Sequence, residues 1–289
     1  MDRRTERVRL FYERAPFPGY PARDSLSAFR ARAARNVFVR LLDRSIPGDA
    51  RVLDVGCGTG QMTLYLAKGD RVVVGADITR ASLALGAAAA NRFGLRAAFV
   101  ETDLRSSGLQ RGAFDVVFSS GVVHHTPDPR AAFSAIVPLA KPGGIIVLGV
   151  YNAFARIPLR LRRAIARASR FRFIPGDPVL RDRQAEPARR EAWLRDQYLH
   201  PEEHRHTLAQ VQRWFSESGV EFLRTYPNAT LDDEPTDLFS PAGDNWMPEG
   251  WLAQVQWMWT LGREGGLFFT IGRRMTQQQD RDFRIGGPP

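Results

Sequence analysis

The stretch Arg51–Gly60, which reads RVLDVGCGTG, constrains the fold of this chain more than any other. The run from Val52 to Val55 is β-branched or aliphatic except for Asp54, and turn-forming residues flank it on both sides. This composition predicts a buried strand that enters a tight turn. A helix-like segment, Gln61–Lys68, follows the turn. A strand, a glycine turn and a helix N-terminus together predict a nucleotide-sized pocket.

The spacing of the glycines narrows the choice of nucleotide. Gly56, Gly58 and Gly60 alternate after Asp54, whereas a dinucleotide fingerprint would require its third glycine at Gln61. The pattern Asp-x-Gly-x-Gly-x-Gly resembles motif I of the class I S-adenosylmethionine-dependent methyltransferases. In that family the acidic residue and the glycine loop hold the methionine part of the cofactor. The resemblance therefore implies S-adenosyl-L-methionine as cofactor and these four residues among its contacts.

A second acidic residue, Asp77, ends the predicted strand Arg71–Ala76 and lies 23 residues beyond Asp54. A carboxylate can accept hydrogen bonds from both hydroxyls of a ribose, and this place in a Rossmann-like sheet is where such an acid acts. We favour ribose binding by Asp77, with Ile78 beside it, over an ordinary surface acid at a strand end.

A third acidic residue, Asp103, follows a short predicted strand, Ala97–Val100. In the resembled family an acid at this place accepts a hydrogen bond from the adenine amino group. The backbone amide of the next residue, Leu104 here, lies on the ring. The resemblance implies both residues as cofactor contacts.

The fourth predicted strand, Phe114–Ser120, leads into a turn that contains His125 and ends at Asp128-Pro129. The whole run resembles the F-D-x-V…H-x-x-D-P motif of the ubiquinone- and menaquinone-type methyltransferases. The resemblance adds Ser120 to the cofactor site. Asp128 is expected to cap the following helix, with Pro129 at its first position.

The resemblance continues through a Lys141–Gly144 turn into a fifth strand, Ile145–Val150, and spans roughly Arg51–Tyr151. It implies an α/β fold: a Rossmann-like seven-stranded sheet sandwiched by helices, with helical inserts after strand 5 and before strand 7. The last two strands are predicted at Val220–Tyr226 and Leu267–Gly272. The expected organisation is an N-terminal segment (1–50), a cofactor-binding core (51–151), a basic insert (152–204), the rest of the fold (205–275) and a tail (276–289).

The N-terminal region is expected to form a loop over Met1–Tyr20 and one helix over Asp24–Arg44, capped by Asp24. Aromatic side chains are frequent in the loop: Phe11, Tyr12, Phe17 and Tyr20. They either fold over the mouth of the site or anchor the terminus to the core.

Two inserts set this chain apart from a minimal fold. In Asn152–His204 an apolar stripe (Ile157, Leu161, Ala164, Ile165, Ala168) is surrounded by arginines, which predicts a basic amphipathic helix. A lid or substrate-binding role is favoured, and an ordinary packed helix or a membrane-surface helix remains open. The second insert, Pro227–Gly266, combines an acidic loop (Asp232, Asp233, Glu234, Asp237) with tryptophans (Trp246, Trp251, Trp257, Trp259). Beyond Arg274 we expect a polar, disordered tail.

The formal charge of +10 is concentrated in two regions. Met1–Arg51 carries twelve arginines against six acids, and Asn152–Arg195 carries twelve against four. Such clustering is typical of contact with nucleic acid, an anionic membrane or an acidic substrate, although solvated arginine faces explain it equally well. Nucleic acid is our second choice of partner, after a small-molecule acceptor.

Methyl transfer needs a base only when the acceptor must lose a proton. His125 aligns with the histidine of the family motif and is the candidate base, with His124 a weaker one; the same histidine can instead hold the loop. The segment His200–His206 contains metal-ligand residue types, but helix initiation explains it better, and no metal site is expected. Alternatives to a small-molecule methyltransferase are an RNA or protein methyltransferase and a non-catalytic cofactor-binding subunit.

The single cysteine, Cys57, lies in the glycine loop and is read as a small loop filler. With no second cysteine, a disulfide framework and a nucleophilic cysteine outside that loop are both excluded. The sequence shows no signal peptide and no apolar run long enough to span a membrane, so a cytoplasmic location is expected. Peripheral contact with a membrane is left open, and the sequence does not indicate an oligomeric state.

Overall fold

The computed structural model describes residues 2–17, 19–20, 24–182, 187–228, 236–242, 250–261, 265–276 and 279 of the 289 residues. The predictions made for Asp232–Glu234, for Trp246, for the side chain of Trp251 and for most of the tail lie outside what is described.

A single seven-stranded sheet organises the molecule. Its strands are β1 Arg51–Val55, β2 Val72–Asp77, β3 Ala97–Glu101, β4 Phe114–Ser120, β5 Ala140–Tyr151, β6 Val220–Tyr226 and β7 Leu267–Arg274. The order across the sheet is β3-β2-β1-β4-β5-β7-β6. The first five strands are parallel, and β7 lies antiparallel between β5 and β6. The predicted α/β fold class is confirmed. The chain reverses its direction of travel across the sheet between β1 and β4, and ligands bind at the carboxyl ends of strands at such a point.

Helices cover both faces of the sheet. They are α1 Arg3–Arg14, α2 Leu26–Ala33, α3 Val37–Ser45, α4 Gln61–Leu66, α5 Arg80–Phe93, α6 Pro129–Ile136, α7 Ile157–Ala168, α8 Pro178–Arg181, α9 Pro187–Leu199, α10 Leu208–Glu217 and α11 Gly250–Thr260. One buried core joins the sheet to α2–α5 through side chains such as Phe38 and Leu64, and the other joins it to α6, α10 and α11 through Phe133 and Phe215. The cores fix the strand ends that form the site described below.

The cap predicted for α6 is present. The Asp128 carboxylate accepts a hydrogen bond from the Ala131 amide, and Pro129 is the first residue of α6. Thr207 and Gln210 form a reciprocal capping box at the start of α10. Gly94 ends α5 in the left-handed conformation, and the Thr79 side chain at the start of this helix makes no capping hydrogen bond.

The loop expected over Met1–Tyr20 is wrong for most of its length, because Arg3–Arg14 forms α1. Asp2 caps this helix by accepting hydrogen bonds from two backbone amides. The prolines that suggested a loop come only after Arg14 and end the helix instead of preventing it.

The single helix expected over Asp24–Arg44 is also wrong. Helix α2 ends at Ala33. Asn36 caps the start of α3, where its side chain accepts a hydrogen bond from the Val39 amide. Ser25, not Asp24, caps α2; the Asp24 carboxylate binds Arg32. The side chains of Ser25 and Asn36 bind backbone amides that a continuous helix would use. The spacing of apolar residues does not reveal this competition.

The Lys141–Gly144 turn lies within β5. Ala140 pairs with Phe114 and Ile145 pairs with Val116, so the four intervening residues form a bulge at the start of the strand. Gly143 has φ = +79°, which permits the sharp turn.

Candidate active site

A cavity of about 380 Å³ lies at the carboxyl ends of β1, β2 and β4. The ends of these strands contribute Val55, Asp77 and Ser120 to its wall. Helices α1 and α9 also line it: Tyr12 comes from the first and Asp196 from the second. The cavity therefore lies where the sheet topology predicts a ligand, and elements outside the predicted core contribute to its wall.

The glycine loop wraps the end of β1. The amides of Gly56 and Cys57 donate to the Ala76 carbonyl oxygen at 2.7 and 3.1 Å, which holds the loop against β2. Gly58 has φ = +52°, and a Cβ atom at this residue would lie 2.7 Å from the Phe17 carbonyl oxygen. Gly56 and Gly58 line the cavity, whereas Gly60 begins α4 behind it.

Asp77 faces the cavity from the end of β2. Its carboxylate accepts hydrogen bonds from the Gly58 amide at 2.9 Å and the Thr79 amide at 2.8 Å. Burial raises the pKa of the Asp77 carboxyl. Each carboxylate oxygen thus has one backbone donor and keeps acceptor capacity for a ligand hydroxyl. Ile78 lines the cavity beside it.

Asp54, the first acidic residue of the motif, lies behind the cavity wall. Its carboxylate is buried and accepts a 2.6 Å hydrogen bond from the Thr63 hydroxyl on α4. Burial raises the pKa of Asp54 to about 7. This hydrogen bond joins β1 to α4, and Asp54 itself does not line the cavity.

Asp103 and Leu104 line the cavity on the side of β3, where Arg105 joins them. Arg105 binds the Asp103 carboxylate at 3.0 Å and also Asp2 at 2.6 Å, so it links this wall to the start of α1. The pKa of the Asp103 carboxyl is lowered because hydrogen bonds from Arg105 outweigh the effect of burial. The sequence analysis did not identify Arg105, since arginine is common throughout this chain.

His125 is buried and lines the cavity beyond Ser120. Its Nδ1 atom lies 2.6 Å from the Glu202 carbonyl oxygen. A carbonyl can only accept, so Nδ1 carries the proton and Nε2 presents a lone pair. No described residue supplies a hydrogen-bond partner for Nε2. Burial lowers the pKa of His125 to about 4, which keeps the ring neutral at pH 7.

The neighbouring histidines are placed differently. His124 is fully buried with its ring 3.9 Å from the Tyr151 ring, and it does not line the cavity. His200 packs against His125. Over the ranges that the structure describes, no group of three or more His, Cys, Asp or Glu residues is arranged to hold a metal ion.

Helix α9 contributes cavity residues that the sequence pattern does not indicate. Trp193 and Asp196, three residues apart on α9, both line the cavity. The Tyr12 hydroxyl donates to Asp196 at 2.9 Å, and the Gln197 amide donates to the Tyr151 hydroxyl at 3.0 Å. In the sequence, Trp193 and Asp196 are recognisable only as two residues on one face of a helix. Assigning them to the site requires knowing where α9 packs.

Cys57 also lines the cavity, and burial raises the pKa of its thiol far above the usual range. A protonated thiol is a poor nucleophile. The structure therefore gives this cysteine no feature of a reactive residue.

Comparison with known proteins identifies the domain. Residues 53–148 match a family described as "Methyltransferase domain". These residues run from β1 into β5 and include the glycine loop, Asp77, Asp103 and His125. The matched region therefore supplies the strand ends of the cavity, whereas α1 and α9 lie outside it.

Curated relatives extend the match. The chain is 29% identical over 257 residues to an uncharacterized protein of Synechococcus, covering 76% of this chain and 59% of that protein. It is 32% identical over 164 residues to a ubiquinone biosynthesis O-methyltransferase of Xanthomonas axonopodis pv. citri, covering 54% of this chain and 65% of that protein. The chain thus spans about three fifths of the length of these relatives.

A solved structure shares the fold. The S-adenosylmethionine-dependent methyltransferase from Mesorhizobium loti superimposes with a TM-score of 0.53 at 19% identity, covering 85% of this chain and all of that one.

Proposed function

We propose that this chain is a class I S-adenosylmethionine-dependent methyltransferase and that it methylates a small-molecule acceptor held in the cavity. The match of residues 53–148 to the methyltransferase domain family supports this proposal. The relatives named as ubiquinone biosynthesis O-methyltransferases support transfer to a small molecule, and to oxygen in particular. Nitrogen or carbon acceptors would use the same cofactor site.

The residues present fit the cofactor. Asp77 faces the cavity with acceptor capacity for the ribose hydroxyls, and Gly58 leaves room where a Cβ atom would crowd the loop. Asp103 and Leu104 line the same cavity and would hold the adenine ring. When bound, S-adenosylmethionine supplies a methyl group on a positively charged sulfonium. The tasks left to the protein are to align the acceptor and to exclude water.

The neutral imidazole of His125 is the observation that carries the proposal. His125 lines the cavity, the Glu202 carbonyl oxygen fixes its tautomer, and its buried Nε2 atom has no hydrogen-bond partner among the described residues. If an acceptor hydroxyl loses its proton during methyl transfer, Nε2 is the atom that would accept that proton. The buried aromatic ring of Tyr151 and that of Trp193 on α9 supply apolar surface for the rest of the acceptor.

Calorimetric titration with S-adenosylhomocysteine tests the cofactor site. We expect wild-type protein to bind and Asp77→Ala to bind at least roughly tenfold more weakly, because a buried carboxylate that accepts ligand hydroxyls is lost. Asp70→Ala is the matched control, because Asp70 is exposed and lies just before the N-terminal end of β2, whereas Asp77 lies at the C-terminal end. Equal affinity of the Asp77→Ala variant and wild type would contradict the assignment of the ribose site.

An acceptor screen separates the alternatives. Phenolic and other hydroxylated metabolites should accept radiolabelled methyl groups, whereas a non-catalytic subunit would bind the cofactor and transfer nothing. Methylation of RNA instead of metabolites would favour the nucleic-acid alternative. RNA affinity that falls steeply with salt would strengthen that outcome.

A further inference from the structure

The segment from Arg156 to Phe173, which is α7 and the turn after it, carries seven arginines and no acidic residue. Two of the arginines are internal: Arg156 and Arg163 both bind the Glu203 carboxylate. Leu159 and Ala166 are buried and pack with Tyr198 of α9. One side of α7 is therefore fixed to the rest of the insert, and Arg160 and Arg167 are exposed on the other side.

The outer side of this segment is apolar as well as basic. The side chains of Leu161, Ile165, Phe171 and Phe173 are 63%, 44%, 40% and 60% exposed. The sequence analysis counted Leu161 and Ile165 as part of the stripe of an amphipathic helix, and the structure places this stripe in solvent. Exposed arginines lie among these side chains: Arg160, Arg167, Arg170 and Arg172.

The turn after α7 keeps its aromatic side chain exposed at an energetic cost. Arg170 and Phe171 have φ = +52° and +61°, in the left-handed region that is unfavourable for a residue with a Cβ atom. The Phe171 amide closes the helix on the Ala166 carbonyl oxygen. A strained backbone that leaves an aromatic ring in water points to a role for that ring outside the fold.

We propose that this basic apolar face, formed by Leu161, Ile165, Phe171, Phe173 and the exposed arginines among them, docks on the surface of an anionic lipid bilayer. The guanidinium groups complement lipid phosphates, and the four apolar side chains can enter the boundary between headgroups and acyl chains. Within the described ranges no helix is long and apolar enough to cross a membrane, so the contact is with the surface.

Charge alone would serve nucleic acid equally well, but the apolar side chains favour the bilayer. Phosphate contacts use arginine, and bases stack on aromatic rings. The aliphatic side chains of Leu161 and Ile165 gain nothing from either contact, whereas both lose water-exposed area in a lipid interface. The proposal does not depend on the identity of the methyl acceptor.

Vesicle flotation tests the proposal with the full chain. Wild-type protein should float with vesicles of phosphatidylcholine and phosphatidylglycerol, and much less with phosphatidylcholine alone. Leu161→Gln/Ile165→Gln and Arg160→Gln/Arg167→Gln should each reduce the partition coefficient roughly tenfold or more. Matched controls are Leu85→Gln/Leu252→Gln, which removes two exposed helical leucines, and Arg44→Gln/Arg111→Gln, which removes the same charge elsewhere; both should bind like wild type.

Failure of the wild-type protein to float with anionic vesicles overturns the proposal. So does equal loss in the matched controls, which would show that overall charge or apolarity suffices. If an RNA oligonucleotide displaces the vesicles and only the arginine variant weakens its binding, the face is a nucleic-acid surface instead. Circular dichroism of each variant confirms that the fold is retained.

Discussion

The imidazole rings of His125 and His200 lie against each other with their centroids 3.7 Å apart. The backbone of Glu202 forms a hydrogen bond with each ring. Its carbonyl oxygen accepts from His125 Nδ1 at 2.6 Å, and its amide donates to His200 Nδ1 at 3.1 Å. The two rings are therefore held in opposite tautomers, so that Nε2 is an acceptor on His125 and a donor on His200.

Replacement of His125 tests its role as the base. His125→Ala should lower kcat roughly 10²–10⁴-fold with a hydroxyl acceptor, because no base remains to accept the hydroxyl proton. Affinity for S-adenosylhomocysteine, measured by calorimetry, should stay within about twofold if the cofactor contacts lie elsewhere. His204→Ala, which removes a half-exposed histidine that does not line the cavity, is the control. A wild-type kcat in His125→Ala would leave this histidine only a structural role.

The pH dependence of the same reaction provides an independent test. Because burial lowers the pKa of His125 to about 4, the ring is unprotonated throughout the neutral range. The rate should therefore be flat from about pH 5.5 to 8 with respect to this group, and should fall only as the pH approaches 4. An acid limb centred near 6.5, the ordinary pKa of histidine, would show that the base is solvated or is another residue.

The glycine loop offers a matched pair of substitutions. Gly58 and Gly143 both have positive φ, so replacement of either by alanine should cost roughly 1–2 kcal/mol of folding stability. Only Gly58 lines the cavity, and its new Cβ atom would lie 2.7 Å from the Phe17 carbonyl oxygen. We expect Gly58→Ala to lower cofactor affinity at least roughly tenfold, and Gly143→Ala to leave it unchanged. Equal affinities in calorimetry would place the cofactor away from the loop.

The sequence was most informative where a local pattern determines a local structure. The run Arg51–Gly60 specifies a buried strand and a turn that only glycine adopts easily, and β1 with its loop is found there. Asp128-Pro129 likewise specifies the start of α6. These patterns depend on neighbours along the chain, which a sequence displays directly.

The part of the cavity wall that α1 and α9 form could not be predicted in the same way. Tyr12 and Asp196 meet there through a hydrogen bond between residues 184 positions apart. Nothing in the spacing of either segment indicates this contact, because it depends on how α1 and α9 pack over the sheet. The single helix expected over Asp24–Arg44 failed for a related reason: apolar spacing continues through Asn36, although its side chain starts a new helix.

The buried charge cluster at the start of α7 should make the insert sensitive to the loss of either charge. Arg156 is fully buried, and its guanidinium binds Glu203, the side chain of Gln197 and the Gly265 carbonyl oxygen. Glu203→Ala should lower the free energy of unfolding by about 3–5 kcal/mol, because a buried guanidinium loses its counterion. The free energy is measured by urea denaturation.

The control for this cluster is Glu217→Ala, which breaks the solvent-exposed pair with Arg130. Its effect should not exceed about 1 kcal/mol. Similar losses in the two variants would mean that Arg156 recovers its bonds from water or from another acid.

The buried carboxyl of Asp54 should make the free energy of unfolding fall as the pH rises from 4 to 7. Burial raises its pKa from 3.8 to about 7, so between these values the folded state holds a proton that the unfolded state has released. Its contribution to stability is full below pH 4 and is lost as the pH rises to 7. Asp54→Asn keeps an acceptor for the Thr63 hydroxyl and removes the titration. As the pH rises from 4 to 8, the free energy of unfolding of the variant should therefore increase relative to that of wild type. The increase should be on the order of 4 kcal/mol when measured without cofactor. A difference that stays constant over this range would mean that Asp54 is already ionised in the folded protein at pH 4.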